Sequence, residues 1–412
     1  MQRQLFRNVF FLGLFQVTNY LVPLIVIPIL LDRIGVEKYG ITALAIGIMN
    51  VLAGVGDYGL NLTGTREISK DPSNLKIQVD QTRRILTLRI ILILILFGGL
   101  SLSIAIVPLW RENAMVILSS YLIVVARLIL PIWYFQGRQE MHWITLINFI
   151  SRLMYIISIL LFVHQEDDYV FVNLLNGTCW SLSALGTLLI VFQHIEISNF
   201  RIDLQECWSD AKRNTSLFLA NSTSTAYRNG AIVIAGFILS GEVLGVFAVI
   251  DRIIAIICSS ASVVFRSLFP KASELASKGL NHLISRLIFL VRRTAIPVLL
   301  LSLSIGFFAP HLLPIIATQL SGIELQEPFL LVALIPPLLL LNVPLSLALI
   351  SAGMDRSYLI YHLSGLITLI LMGSSLGLLF NIAGLIWSLI IMESVMITFG
   401  FYFLFRAKTR QG

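Results

Sequence analysis

Twelve apolar blocks dominate this chain, each close to the ~20 residues that a helix needs to cross a hydrocarbon layer about 30 Å thick. They cover residues 9–31, 40–60, 85–107, 114–135, 142–163, 169–193, 214–238, 245–268, 287–308, 328–351, 357–379 and 381–405. Stretches such as Ile90 to Phe97 and Leu338 to Leu341 carry no polar side-chain atom on any helical face. A helix at the surface of a soluble protein keeps one face polar, so lipid is the solvent these blocks suit. In lipid, backbone N–H and C=O groups must be satisfied within the structure, which leaves helices and closed barrels. Block length selects helices. Charged residues make up only 12% of the chain, against ~25% in soluble proteins, and the mean hydropathy is +0.89. Residues 309–327, with Pro310 and Pro314, are too short to span and read as a re-entrant or interfacial piece.

Lysine and arginine in the connections set the orientation, because basic loops are retained in the cytoplasm. Alternating the twelve spans places nineteen basic residues on one side, from Arg3 and Arg7 to Arg406, Lys408 and Arg410, and three on the other: Arg33, Lys38 and Arg111. This predicts a multi-pass protein of the bacterial inner membrane with both termini cytoplasmic. The first block runs past Leu30 without a small-x-small cleavage site, so it reads as an uncleaved span. Although the net charge is +7, the basic residues are spread between apolar blocks rather than gathered on a polar face, which excludes nucleic acid as the partner.

Dividing the chain at 1–198 and 199–412 leaves six spans in each part, so a repeat would be parallel. Each half has a long basic loop after its second span (61–84 and 269–286). Each also has a short glycine-containing turn after its fourth, Phe135-Gln136-Gly137-Arg138 and Ser351-Ala352-Gly353-Met354. The expected fold is all-α, with about twelve transmembrane helices in two parallel six-helix lobes around a central cavity. Long outward loops, outward clusters of His, Asp, Glu or Cys, and a P-loop are missing from the sequence, so a transporter is expected rather than an enzyme. Cys179, Cys207 and Cys258 are scattered and suggest neither a disulfide frame nor a metal site. No cofactor is implied.

Ionisable groups at membrane depth are the informative exceptions: Arg127, Arg152, Arg228, Asp251, Arg252 and Glu393, with Asp57 at the exit of the second span. A charge at the bilayer centre costs about 2.5–3.5 kcal/mol on insertion scales, so each needs a partner or a wet cavity. Pairing of the arginines with Asp57, Asp251 or Glu393 is one solution. Buried arginines outnumber buried acids, however, and the excess favours an anionic ligand. Arg89, Arg292 and Arg293 are placed to snorkel to the headgroups. The seventh span is the most polar, including Asn221-Ser-Thr-Ser-Thr-Ala-Tyr-Arg-Asn-Gly230; in the first, Gln16, Asn19 and Tyr20 share one face ahead of Pro23 and Pro28. Both read as cavity walls or helix-packing glue. The six histidines, His362 among them, read as interfacial, and Trp110, Trp133, Trp143 and Trp208 as interface anchors.

Several motifs carry a resemblance. They are Gln16-Val-Thr-Asn-Tyr-Leu-Val-Pro23 with Ile27-Pro28, Ile34-Gly35-x4-Gly40, Asp57-Tyr-Gly59 with Thr65-Arg66-Glu67, Ile132-Trp-Tyr-Phe-Gln-Gly137 with Glu140-Met141, Asp251-Arg252-Ile253, and Leu268-Phe-Pro-Lys271. Together the chain resembles the Wzx-type O-antigen or polysaccharide repeat-unit flippases of the multidrug/oligosaccharidyl-lipid/polysaccharide exporter superfamily. The resemblance implies alternating access that carries an undecaprenyl-pyrophosphate-linked oligosaccharide from the cytoplasmic to the periplasmic leaflet. It makes Arg228 and Arg252, then Arg127 and Arg152, the expected pyrophosphate or sugar contacts, with Gln16, Asn19, Tyr20 and Asn221 as cavity residues. Asp57, Asp251 and Glu393 are the candidates for a coupling ion. Expected partners are the lipid-linked oligosaccharide, membrane lipids, and the polymerase and chain-length regulator of the same pathway. The alternatives are a lipid-linked peptidoglycan-precursor flippase and a drug/cation antiporter of the same fold, the latter disfavoured by the excess of buried base over acid.

Overall fold

The computed structural model describes residues 2–195, 204–277 and 279–411, with side chains described except at 2–13, 15–17, 19–20, 204–211, 213–214, 216–217, 220, 259–271, 273–277, 280 and 409–411. Helices follow in the order α1 (Gln2–Asp57), α2 (Leu60–Lys70), α3 (Leu75–Ile106), α4 (Pro108–Glu112), α5 (Ala114–Ile129), α6 (Ile132–Gly137), α7 (Met141–Phe162) and α8 (Tyr169–His194). After these come α9 (Leu204–Ile238), α10 (Gly241–Ser277), α11 (Leu280–Ile316), α12 (Gln326–Val332), α13 (Ile335–Ser351) and α14 (Asp355–Gln411). Among the described residues eight helices are long and apolar enough to cross a membrane. Two of these are broken once, α1 at Gly35 and α14 at Asn381, and each contributes two arms. With α9 and α10 the arms number twelve, as the apolar blocks predict. The protein is an all-α, multi-pass membrane protein.

The chain divides into two compact units, Met1–Thr225 and Ala226–Gly412. In the first, buried polar groups tie helices together where apolar burial offers no driving force in lipid. Asn173 on α8 donates to the Thr42 carbonyl (2.9 Å) and to Ser120 Oγ on α5 (2.8 Å), and all three residues are buried. Arg33, next to the break in α1, donates to the carbonyls of Ile159 (3.0 Å), Leu160 (3.1 Å) and Val163 (2.6 Å). A helix ends with four carbonyls lacking intrahelical partners, so this guanidinium caps α7 from another helix.

Three expectations are corrected here. Residues 61–70 are not an open loop: α2 is amphipathic and buries Leu60, Gly64 and Ile68. Residues 309–316 form no re-entrant piece, because α11 continues through Pro310 and Pro314 to Ile316. Trp133 is no interface anchor; it is fully buried beside Tyr134 and Phe135 in the core of the first unit.

The break in α14 turns the chain back on itself. A Cβ added at Gly384 would collide with the Leu376 carbonyl, and one at Gly377 would meet Leu385. Residues eight apart on a straight helix lie about 12 Å apart along its axis, so these contacts require reversal at Asn381, whose φ of 50° suits asparagine better than most residues. At Gly35, φ 75° and ψ 167° fall in a region essentially restricted to glycine. Gly35→Ala is therefore expected to destabilise the protein by about 1–3 kcal/mol from backbone strain, although nothing crowds its Cβ. Gly98→Ala, in the interior of α3 with equally open space, should be neutral or stabilising by up to about 1 kcal/mol. Thermal unfolding of both variants in one detergent checks the contrast.

Candidate functional site

Each unit contains a polar cluster at membrane depth. In the first it forms where α1 ends: Tyr58 (φ 49°) and Gly59 (φ 73°) are both left-handed and turn the chain into α2. This conformation explains the glycine of Asp57-Tyr-Gly59. The turn leaves Asp57 Oδ1 at 2.7 Å from Arg89 Nη2. Asn61 also donates to Asp57, and Asn221 Nδ2 lies 3.4 Å from its second oxygen. Tyr58 stacks on Phe218 at 4.1 Å between ring centroids.

Arg89 does not snorkel as its position in the span suggests. It is fully buried, donates to the Leu128 carbonyl (2.6 Å) and lies 4.5 Å over the Trp133 ring. Trp133 belongs to Ile132-Trp-Tyr-Phe-Gln-Gly137, whose other members hold the same assembly. Tyr134 donates to Gln78 Oε1 (3.0 Å), Gln136 meets Thr65 (3.2 Å), and Gly137 sits against Ile68 and the Thr65 carbonyl where no Cβ fits. Arg138 reaches Gln78 (3.1 Å) and Glu140 (3.0 Å). The motif is thus a structural clamp around the fully buried Arg89 and its half-buried partner Asp57.

Arg127 donates to Asn50 Oδ1 (2.5 Å) and interacts electrostatically with Asp57, so α1, α3 and α5 bring Asp57, Arg89 and Arg127 into one cluster. Arg152 stands apart from them. Between α7 and α8 it lies 3.4 Å from Asn176 Oδ1 and 4.6 Å over the Trp180 ring. Gln16, Asn19 and Tyr20 lie outside the described side chains.

In the second unit Arg228 on α9 is an exposed residue, with Nε 3.5 Å from the Tyr227 hydroxyl. Tyr227 is buried and stacks on His362 of α14 (5.6 Å, 17°). Tyr358 and Tyr361 meet the same imidazole edge-on at 4.3 and 5.1 Å. His362 is 2% exposed, which corrects its reading as an interfacial residue. Burial came from tyrosines on α9 and α14, and only Tyr358 and Tyr361 are near it in sequence. The Tyr361 hydroxyl donates to the Asn342 carbonyl (3.0 Å), and the Asn342 side chain donates to Glu393, itself buried. Asp251 and Arg252 are half-buried neighbours on α10 and interact electrostatically. The cluster missed in the sequence, Tyr227, Tyr358, Tyr361, His362 and Asn342, had a partial signal in Tyr358-x3-His362 at helical spacing. Among the described residues no three His, Cys, Asp or Glu side chains gather to hold a metal ion.

Removing one partner of a buried pair strands the other charge, typically at about 3–5 kcal/mol. Asp57→Asn, which strands the fully buried Arg89, is expected to destabilise by about that amount, and Arg89→Met by less, since Asp57 is 19% exposed and keeps Arg127 nearby. The double variant should lose much less than their sum, because neither charge remains buried alone. Unfolding of the three purified variants measures the coupling, and additivity would remove the pair from its structural role.

The sequence matches the polysaccharide biosynthesis protein family over residues 5–276. Two curated relatives are each named "Putative O-antigen transporter". That of Escherichia coli (strain K12) is 27% identical over 268 residues, so the match spans just under two thirds, 65%, of either chain. That of Shigella dysenteriae is 22% identical over 407 residues, covering 95% of this chain and 98% of the relative. Among solved structures, the lipid II flippase MurJ in an inward closed conformation superposes with a TM-score of 0.74 at 13% identity, over 96% of this chain and 87% of that one. An inward-facing multidrug resistance MATE family transporter of the MOP superfamily gives 0.63 at 14% identity, over 95% and 100%. These structural likenesses are of fold. With the family match extending over more than half of its length, the chain belongs to the polysaccharide biosynthesis protein family.

Proposed function

We propose that this protein is a flippase that carries undecaprenyl-pyrophosphate-linked oligosaccharide repeat units of O-antigen, or of a related surface polysaccharide, from the cytoplasmic to the periplasmic leaflet of the bacterial inner membrane by alternating access. The single observation that carries the reading is Arg228. It lies ten residues from the end of α9, about 15 Å along the axis and therefore near the middle of a hydrocarbon layer of about 30 Å. Arg228 is nevertheless an exposed residue. A charge that is permanent and forked suits the oxygens of a pyrophosphate. Arg252 is the second candidate contact, followed by Arg127, Arg152 and the exposed Asn221. The names of the two curated relatives support the cargo class, and the uneven distribution of basic residues supports cytoplasmic termini. The polymerase and chain-length regulator of the same pathway are the proposed protein partners. A peptidoglycan-precursor lipid would present the same pyrophosphate, and the experiment separates the two.

Deletion of the gene is expected to make single lipid-linked repeat units accumulate in the cytoplasmic leaflet, as read by mass spectrometry of the lipid-linked saccharides. Accumulation of peptidoglycan precursor would transfer the reading to that lipid, and an unchanged surface glycan and lipid pool would overturn it. In the complemented strain, Arg228→Ala should reduce export roughly tenfold or more, in line with about 1.5–3 kcal/mol for hydrogen bonds to a charged group. Arg228→Lys should lie between, since it keeps the charge and loses the fork. Full export by Arg228→Ala would remove that residue from the site.

A further inference from the structure

We infer that the exposed face of α11 is a binding site for an acidic phospholipid of the surrounding bilayer, with Arg286, Arg292 and Arg293 on its phosphodiester and the apolar surface beyond them along an acyl chain. Depth is the first observation. Because α11 continues through Pro310 and Pro314, the stretch from Thr294 to Ile316 contains no Asp, Glu, Lys or Arg and measures about 35 Å at 1.5 Å per residue. That length crosses a hydrocarbon layer of about 30 Å by itself. Arg292 and Arg293 therefore stand at the edge of the layer, where the lipid phosphates begin. Arg286 lies about 10 Å further out along the axis, and its guanidinium sits over the Phe289 ring, 5.1 Å from the centroid, so it leans back toward the other two.

Helical geometry gathers the three on one side. At 3.6 residues per turn Arg286 and Arg293 fall within about 20° of each other, with Phe289 between them and Arg292. All four residues are exposed, while Leu283, Leu287 and Ser302 form the buried side of the helix. Of the eight candidate spans α11 is the least buried, which leaves most of its surface to lipid. Charge then selects the lipid. Asp and Glu are absent from α11, and among the described residues none of the three guanidinium groups has a hydrogen bond or an ion pair. Guanidinium forks match phosphate oxygens, whereas the ammonium of a zwitterionic headgroup would meet only like charge on this helix. Below the arginines the same face turns apolar, with Ile296, Leu300, Leu303 and Phe307 all exposed. From Arg293 to Leu303 is about 15 Å, half of the hydrocarbon layer, so headgroup site and acyl track are continuous, as a single phospholipid requires.

The test is native mass spectrometry of the full-length protein in mild detergent, titrated with phosphatidylglycerol, phosphatidylethanolamine, undecaprenyl pyrophosphate or soluble glycerol 3-phosphate. Phosphatidylglycerol should bind in preference to phosphatidylethanolamine. Replacing all three arginines by glutamine should weaken its binding about a hundredfold and abolish the preference, at roughly fivefold for each arginine near a membrane surface. Arg293→Gln alone leaves two of the charges in place and should weaken binding about fivefold, which decides the question if the triple variant does not fold. Equal binding of the two phospholipids, or variants that bind as the wild type does, would overturn the proposal. So would displacement of phosphatidylglycerol by an equal concentration of glycerol 3-phosphate, which would mark a soluble-phosphate site. Preference of the arginines for undecaprenyl pyrophosphate would likewise overturn it and assign the face to the cargo.

Discussion

A guanidinium buried at full depth, that of Arg89, sets the terms for the first unit. The cost of burying a charge falls only when an opposite charge and further hydrogen bonds meet it, and here three elements converge to do so. The left-handed turn at Tyr58 and Gly59 aims Asp57, the end of α5 offers the Leu128 carbonyl, and α6 places Trp133 below the plane. Each of these depends on the next layer. Trp133 keeps its position because Tyr134 is tied to Gln78 and Gly137 lets α6 lie directly on α2. Two motifs that stand out in the sequence, Asp57-Tyr-Gly59 and Ile132-Trp-Tyr-Phe-Gln-Gly137, are thus explained by support for one charge.

The second unit handles its charges differently. Glu393 accepts a hydrogen bond from Asn342, His362 is enclosed by three tyrosines, and Arg228, beside Tyr227, is an exposed residue. The pair of Arg89 with Asp57 is held by direct contact within the first unit. The contrast is between an arginine tied into an ion pair within the first unit and one that is an exposed residue in the second.

Much of the architecture was legible in the apolar blocks, because a helix must close its own hydrogen bonds in lipid and a span has a fixed length. Even so, the breaks at Gly35 and Asn381 occur inside continuous helices, which block lengths alone separate correctly. Residue depth was less informative about direction. Arg89 and Arg292 occupy comparable positions in their spans, yet the first is buried and the second exposed, since the facing helix and not the sequence position determines which one finds an acid. His362 was misread for the same reason: nearness to a loop suggested water, while Tyr227, more than a hundred residues away in the chain, closes over it. The choice of Arg127, Arg152 and Arg228 needed only an excess of base over acid, but their neighbours could not be deduced without the packing.

The sharp reversal in α14 bears on how the protein is made. Between its two arms only Asn381 leaves the helical conformation, and Gly377 and Gly384 bring the arms into backbone contact immediately on either side. Such a pair has almost no intervening polar chain to be passed across the bilayer. During synthesis the first arm gains little by settling alone, for its glycine face stays unfilled until the second emerges. The pair is therefore suited to enter the membrane as one preassembled hairpin, and a side chain at Gly384 would harm biogenesis before it could affect anything the mature protein does.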